Sequence, residues 1–315
     1  MPDSRCKQPS ITGGSEPLFL DVNKIDENKV IYSEEVMVQL NANLWSLLQH
    51  TDVMRELNLP LKRAVLLEGP YGTGKTLAGM LTAQKAQANG WTYILCRTGQ
   101  DDLKDVLRTA QIYAPAVVWF EDIDTVAAGG SADDISSLLD MLDGITSKGA
   151  EVVAAFTTNF VEKIQKGVMR PGRLDAVIHI GHLDQSGFQR LIENLVPAKI
   201  LGEIDYEHVA NAFAGFLPAF AAEAINRAMR YSIARNGGYP DVITTDDLVD
   251  AALGLRPQLK LMEEAKEGAS NTTIDDLIGE LVVDKLNHTG LKYNESLGEN
   301  GLYVDMDCDP VAIDE

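Results

Sequence analysis

The chain of 315 residues is short of several things, and each shortage removes a class of protein. It has three cysteines, Cys6, Cys96 and Cys308, far apart in the sequence. So sparse and odd a set gives neither a disulfide framework nor a metal-ligand spacing, and it fits a reducing compartment. No apolar run approaches the ~20 residues of a membrane span. The N-terminal MPDSRCKQPS lacks the apolar middle of a signal peptide, so a soluble, cytoplasmic protein is expected. Positive charge is scarce: 27 Lys and Arg against 47 Asp and Glu leave a formal charge of −20, which speaks against phosphate-backbone binding as the main activity. No internal repeat is evident. Apolar residues, at 45%, are plentiful enough for a substantial core.

Four regions follow from composition and periodicity. Residues 1–28 are polar, contain Gly13-Gly14, and read as a flexible arm with one short strand at 18–22. Residues 33–59 carry a helical pattern in Val36, Leu40, Leu44, Leu47 and Leu48, closed by Pro60. Strands are expected at 64–67, 92–96, 117–120, 152–156 and 176–180, with helices at 76–89, 101–112 and 132–142 between them. Short apolar strands alternating with helices imply a parallel α/β sheet covered on both faces, occupying 29–184. After Ser186 the strand signal disappears. Helices are expected at 187–195, 206–214, 219–234 and 245–253, a small α-helical lid within 185–267. Residues 270–315 hold eleven acids against Lys285 and Lys292; one helix, 274–287, is expected in a solvated and largely flexible tail, 268–315.

The chemistry begins at Gly69-Pro-Tyr-Gly-Thr-Gly-Lys-Thr76, which fits G-x-x-x-x-G-K-[ST] between a strand and a helix. Gly69, Gly72 and Gly74 let the backbone curl so that its N–H groups point at phosphate oxygens. The helix that follows adds its positive end. Lys75 would reach the β- and γ-phosphates and Thr76 would offer a hydroxyl to Mg²⁺; Thr73 and Leu77 complete the nucleotide-binding run. Such a loop needs carboxylates at the tip of a neighbouring strand. Val117-Val-Trp-Phe-Glu-Asp122 supplies them, with Glu121 and Asp122 at the carboxyl end where α/β sheets bind ligands.

With these motifs the chain resembles the AAA family of P-loop ATPases, within the AAA+ superfamily, over roughly residues 33–264. PAVVWFEDID resembles the family's second nucleotide motif, and Leu138–Ile145 (LLDMLDGI) the helix after it. VVAAFTTN, ending at Asn159, resembles the strand with the sensor-1 polar residue. RPGRLD resembles the second region of homology, and VITTDDLVDAAL the end of the lid. The resemblance implies ATP/ADP and Mg²⁺ as cofactors and ATP hydrolysis as the activity. By position, Glu121 stands on the metal side and Asp122 takes the place of the residue that orients the attacking water, inverting the usual order of the two acids. Asn159 would help orient that water. Arg170 and Arg173 would act in the site of a neighbouring copy, which implies a homo-oligomer, a hexameric ring or spiral.

Two departures from the family pattern stand out. Where the lid's third helix usually begins Ser-Gly-Ala-Asp, this chain has Leu217-Pro-Ala-Phe220, with Pro218 for the glycine and no sensor-2 arginine there. The interval Arg97-Thr-Gly-Gln100 lacks the aromatic residue that threading members place in a central pore, leaving Arg97 and Gln100 to line one. Remodelling of a protein partner is the expected function. A nucleic-acid motor or helicase-loading ATPase, marked by DNA-stimulated turnover, is one alternative. A nucleotide-gated scaffold, marked by binding without turnover, is another.

Overall fold

The computed structural model describes residues 6–8, 18–20, 26–27, 30–97, 101–123, 151–161 and 174–267. The helices expected at 132–142 and 274–287, residues 98–100, and both Arg170 and Arg173 lie outside the described residues.

In the arm, two strands are described rather than one. β1 (Cys6–Gln8) pairs antiparallel with β2 (Leu18–Leu20). The helical stretch that follows is broken into pieces: α1 (Glu34–Leu40), a π-helical turn Asn41–Trp45, α2 (Ser46–Gln49) and α3 (Thr51–Glu56). Ser33 starts α1 by accepting from the Val36 N–H. The π turn under-winds the chain, so Trp45 joins Leu40, Leu44 and Leu48 on the buried face, where an unbroken α-helix would turn it away.

β3 (Arg63–Glu68), β4 (Thr92–Arg97), β5 (Ala116–Glu121), β6 (Val152–Thr158) and β7 (Ala176–His179) form one parallel sheet in the order β4-β5-β6-β3-β7. β6 is buried along its whole length and β5 up to Phe120. That is why both read as unbroken apolar runs, as strands covered on two faces do. Alternate residues feed two cores. Val65, Leu67, Val117 and Trp119 face Trp45 and the phosphate-loop helix α4 (Lys75–Ala88). Leu66, Ile94, Val118, Phe120 and Phe156 face Val106, Leu107 and Ala110 of α5 (Leu103–Ile112).

The helical unit has its own core of Phe188, Ile192, Phe213, Phe216, Ile225, Leu248 and Leu255. It contains α6 (Gln185–Leu195), α7 (Tyr206–Ala212), α8 (Pro218–Asn236), α9 (Thr245–Leu253) and α10 (Arg256–Glu267). α10 lies beyond the last helix expected in this unit, 245–253. α10 starts past Gly254 with Pro257 in its first turn, a position that needs no backbone donor. Thr244 and Asp247 cap α9 reciprocally. No helix among the described residues is long and apolar enough to cross a membrane.

Candidate nucleotide-binding site

The loop after β3 turns so tightly that its first glycine has no room for a side chain. A Cβ on Gly69, whose φ is +154°, would lie 2.0 Å from the Ile180 carbonyl oxygen. Gly74, with φ +98°, ends the loop and opens α4. Thr73 is buried and its hydroxyl donates to the Pro70 oxygen at 2.9 Å. Lys75 is buried as well, and its Nζ donates to the Gly69 and Pro70 oxygens at 2.6 and 2.8 Å. Those bonds hold the ammonium group inside the curl of the loop, at the positive end of α4. Leu77 lies exposed on the first turn of that helix.

The ends of β5 and β6 bring up the acids. Asp122 has φ +48°, a left-handed conformation unusual outside glycine but tolerated best by Asp and Asn. Two bonds to β6 enforce it. The Asp122 N–H donates to the Thr157 hydroxyl at 2.9 Å, and the Ile123 N–H donates to the Thr157 oxygen at 2.9 Å. The resulting turn places the Asp122 carboxylate against Asn159, whose Nδ2 donates to Oδ1 at 2.9 Å. Glu121 has the Thr76 side chain as a hydrogen-bond partner. Burial, then the Asp122 charge, push the Glu121 carboxyl above its usual range; Thr76 and the Arg97 charge oppose them.

Three segments distant in sequence therefore converge at the carboxyl edge of the sheet: the phosphate loop, Glu121-Asp122, and Thr157 to Asn159. The Gly69 N–H also donates to the Thr158 oxygen at 3.3 Å, tying β6 to the loop. The lid touches the same place. The Ala219 N–H, an otherwise orphaned donor in the first turn of α8, donates to the Gly72 oxygen at 3.1 Å. Pro218 has no N–H to offer and occupies the first position of that helix.

The donor set suits a nucleotide triphosphate with a divalent cation. Two adjacent carboxylates, one bonded to a hydroxyl and both partly enclosed, carry more negative charge than Arg97 nearby offsets, and hydroxyl and carboxylate oxygens are the ligands Mg²⁺ takes. Thr157 and Tyr32 were not singled out by motif. Thr157 left a trace in the polar Thr157-Thr-Asn159 at the end of an apolar strand; Tyr32, whose hydroxyl donates to the Gly74 oxygen at 2.7 Å, left none.

Comparison with known proteins agrees with this geometry. Residues 65–182 match the model of the ATPase family associated with various cellular activities (AAA). Among curated relatives, the ATP-dependent zinc metalloprotease FtsH 1 of Petrotoga mobilis is 28% identical over 259 residues, 76% of this chain and 38% of its own length. The FtsH protein of Cupriavidus metallidurans is 27% identical over 271 residues, 80% of this chain and 40% of its own. That of Helicobacter pylori is 30% identical over 200 residues, 58% and 32%. The chain thus spans well under half the length of these relatives. None of its histidines, at 50, 179, 182, 208 and 288, stands in the H-E-x-x-H spacing of a zinc protease. Among the described residues no group of three or more His, Cys, Asp or Glu is arranged to hold a metal ion. The matched segment carries the phosphate loop, the paired acids and the strand ending at Asn159, so over residues 65–182 the chain is similar to the AAA family of P-loop ATPases.

Proposed function

We propose that this chain binds ATP with Mg²⁺, hydrolyses it as one subunit of a hexameric ring, and uses the cycle to remodel a protein partner. The observation that carries the reading is the division of labour between the two acids: Glu121 meets Thr76, while Asp122 meets Asn159. The backbone N–H groups of Gly72 to Leu77 and the Lys75 ammonium would hold the phosphates. Thr76 and Glu121 would hold the cation, whose charge offsets that of the phosphate oxygens and polarises the bond to the leaving group. Asp122 would accept a hydrogen bond from the attacking water and draw off its proton. Asn159, fixed to the same carboxylate, would set its angle.

Arg170 and Arg173 would complete the site from an adjoining copy, stabilising charge on the transferring phosphoryl group; such a finger is worth roughly 10³–10⁵ in rate. The names of the relatives describe ATP-dependent proteases, which favours a protein as the thing acted upon. The test is a mixing experiment. Arg173→Ala and Asp122→Asn should each be inactive alone. Mixed, they should recover turnover, because an interface pairing Asp122 of one copy with Arg173 of the other is intact. Full turnover by Arg173→Ala alone, or by a monomer at every concentration, would refute the ring.

A further inference from the structure

Residues 30–34 run as a strap between the sheet and the lid. Val30 and Tyr32 are buried in the sheet core, whereas Ile31 packs against the lid core. The strap is tied to the lid by two bonds. Arg190 of α6 donates through Nη2 to the Tyr32 oxygen at 2.8 Å. The Glu34 N–H donates at 3.3 Å to Oδ2 of Asp184, the residue that caps α6.

On the other side the strap reaches the phosphate loop. Tyr32 is only 2% exposed, and its hydroxyl donates to the Gly74 oxygen at 2.7 Å. That oxygen also accepts the Ala78 N–H at 3.0 Å, so both of its lone pairs are engaged. The fit is close, since a Cβ on Gly74 would come within 3.2 Å of the Tyr32 ring. In a planar trans peptide the C=O and the next N–H point in opposite directions. Fixing the Gly74 oxygen on the helix side therefore fixes the Lys75 N–H on the opposite side, toward the mouth of the loop. A hydrogen bond accepted by the carbonyl also polarises that N–H, making it a better donor to an anion.

We propose that Tyr32 is a positioning residue of the nucleotide site: its hydroxyl holds the Gly74–Lys75 peptide with the Lys75 N–H aimed at phosphate, and the strap makes that aim depend on where the lid sits. The inference rests on the nucleotide-binding reading given above. Burial holds the phenol well above its ordinary pKa, with a smaller opposing effect from the Ala78 amide, so the hydroxyl remains a donor at all working pH.

The experiment compares Tyr32→Phe with the full-length wild type. Steady-state ATPase gives KM and kcat, and inorganic pyrophosphate serves as a competitive probe of the loop alone. Loss of one such hydrogen bond should raise KM for ATP and Ki for pyrophosphate together, by about three- to tenfold, with kcat within about twofold of wild type. Unchanged KM and Ki beside a lowered melting temperature would make Tyr32 a packing residue only, and would overturn the inference while leaving the proposed function intact. A wild type that bound neither ATP nor pyrophosphate would instead overturn the proposed function, and the inference with it. If Tyr32→Phe fails to fold, Arg190→Gln keeps the Tyr32 ring and frees the strap's carbonyl, losing besides it only the 3.3 Å bond from Nε to the Ser186 oxygen within α6 and a charge near Asp184. It should raise both constants about twofold, and wild-type values would overturn the inference.

Discussion

Replacing a glycine by alanine inside a helix ordinarily stabilises a protein by about 1 kcal/mol. At Gly79, in the middle of α4, it should do the reverse. A Cβ there would lie 2.7 Å from Cε2, 2.8 Å from Nε1 and 3.1 Å from Cζ2 of Trp119. Ordinary van der Waals contact begins near 3.4 Å, so helix and indole must part by several tenths of an ångström. Neither has slack, because Trp119 is fully buried between α4 and the sheet and Gly79 is buried too. Overpacking of this kind costs about 1–3 kcal/mol. Set against the helix-propensity gain, the net is a loss of up to about 2 kcal/mol. Thermal unfolding should show a melting temperature lower by several degrees. Trp119 also stands two residues before Glu121 on β5, so ATP turnover should fall with stability. Trp119→Phe supplies an internal control. The indole Nε1 has no hydrogen-bond partner among the described residues, so no bond is lost with it, and the smaller ring makes room. In the Trp119→Phe background Gly79→Ala should be neutral or stabilising. A rise in melting temperature for Gly79→Ala in the wild-type background would refute the packing described.

Two further outcomes follow from the titratable groups. Burial pushes the Asp247 carboxyl up, but the Arg235 guanidinium at 2.9 Å and the Thr244 N–H and hydroxyl outweigh it, leaving the pKa below its ordinary value. Its contribution is therefore complete above the unfolded value of about 3.9 and lost as pH falls through the lower folded one. Asp247→Ala should cost about 1–2 kcal/mol at neutral pH by thermal unfolding, and the gap from wild type should close below about pH 4. Burial, aided by the Asp101 charge, pushes the Cys96 thiol up to about 12. Mass-spectrometric mapping with iodoacetamide at pH 8 should find Cys96 unlabelled in the native protein and labelled on unfolding.

The phosphate loop and the order of strands and helices around it are legible in the sequence because local chemistry dictates them. Glycines at fixed spacing, a lysine at a helix start and unbroken apolar runs each have one cheap structural solution. The lid helices are legible for the same reason, through Thr244, Asp247 and their 3.6-residue pattern. α10 is not, since Gly254 and Pro257 read as breakers until the helix is seen to start between them. The π turn at Asn41–Trp45 is hidden as well, because only the burial of Trp45 reveals it. Within the site, Lys75, Thr76, Glu121, Asp122 and Asn159 come together from motif spacing. The left-handed Asp122 and its hold by Thr157 depend on β5 and β6 being neighbours, and Tyr32 on a contact 42 positions away in sequence. Contacts of that range leave no local pattern.

The two acids differ in which of them activates the water. Asp122→Asn and Glu121→Gln should be compared with wild type for ATP affinity and for phosphate release at saturating ATP and Mg²⁺. Asp122→Asn is expected to bind ATP at near wild-type strength and to lose turnover by about 10²–10⁴-fold, the range of a lost general base. Glu121→Gln should instead weaken Mg²⁺ binding, with turnover recovering at high Mg²⁺. Normal hydrolysis by Asp122→Asn, with turnover abolished only in Glu121→Gln, would contradict the assignment drawn from the Thr76–Glu121 and Asn159–Asp122 contacts.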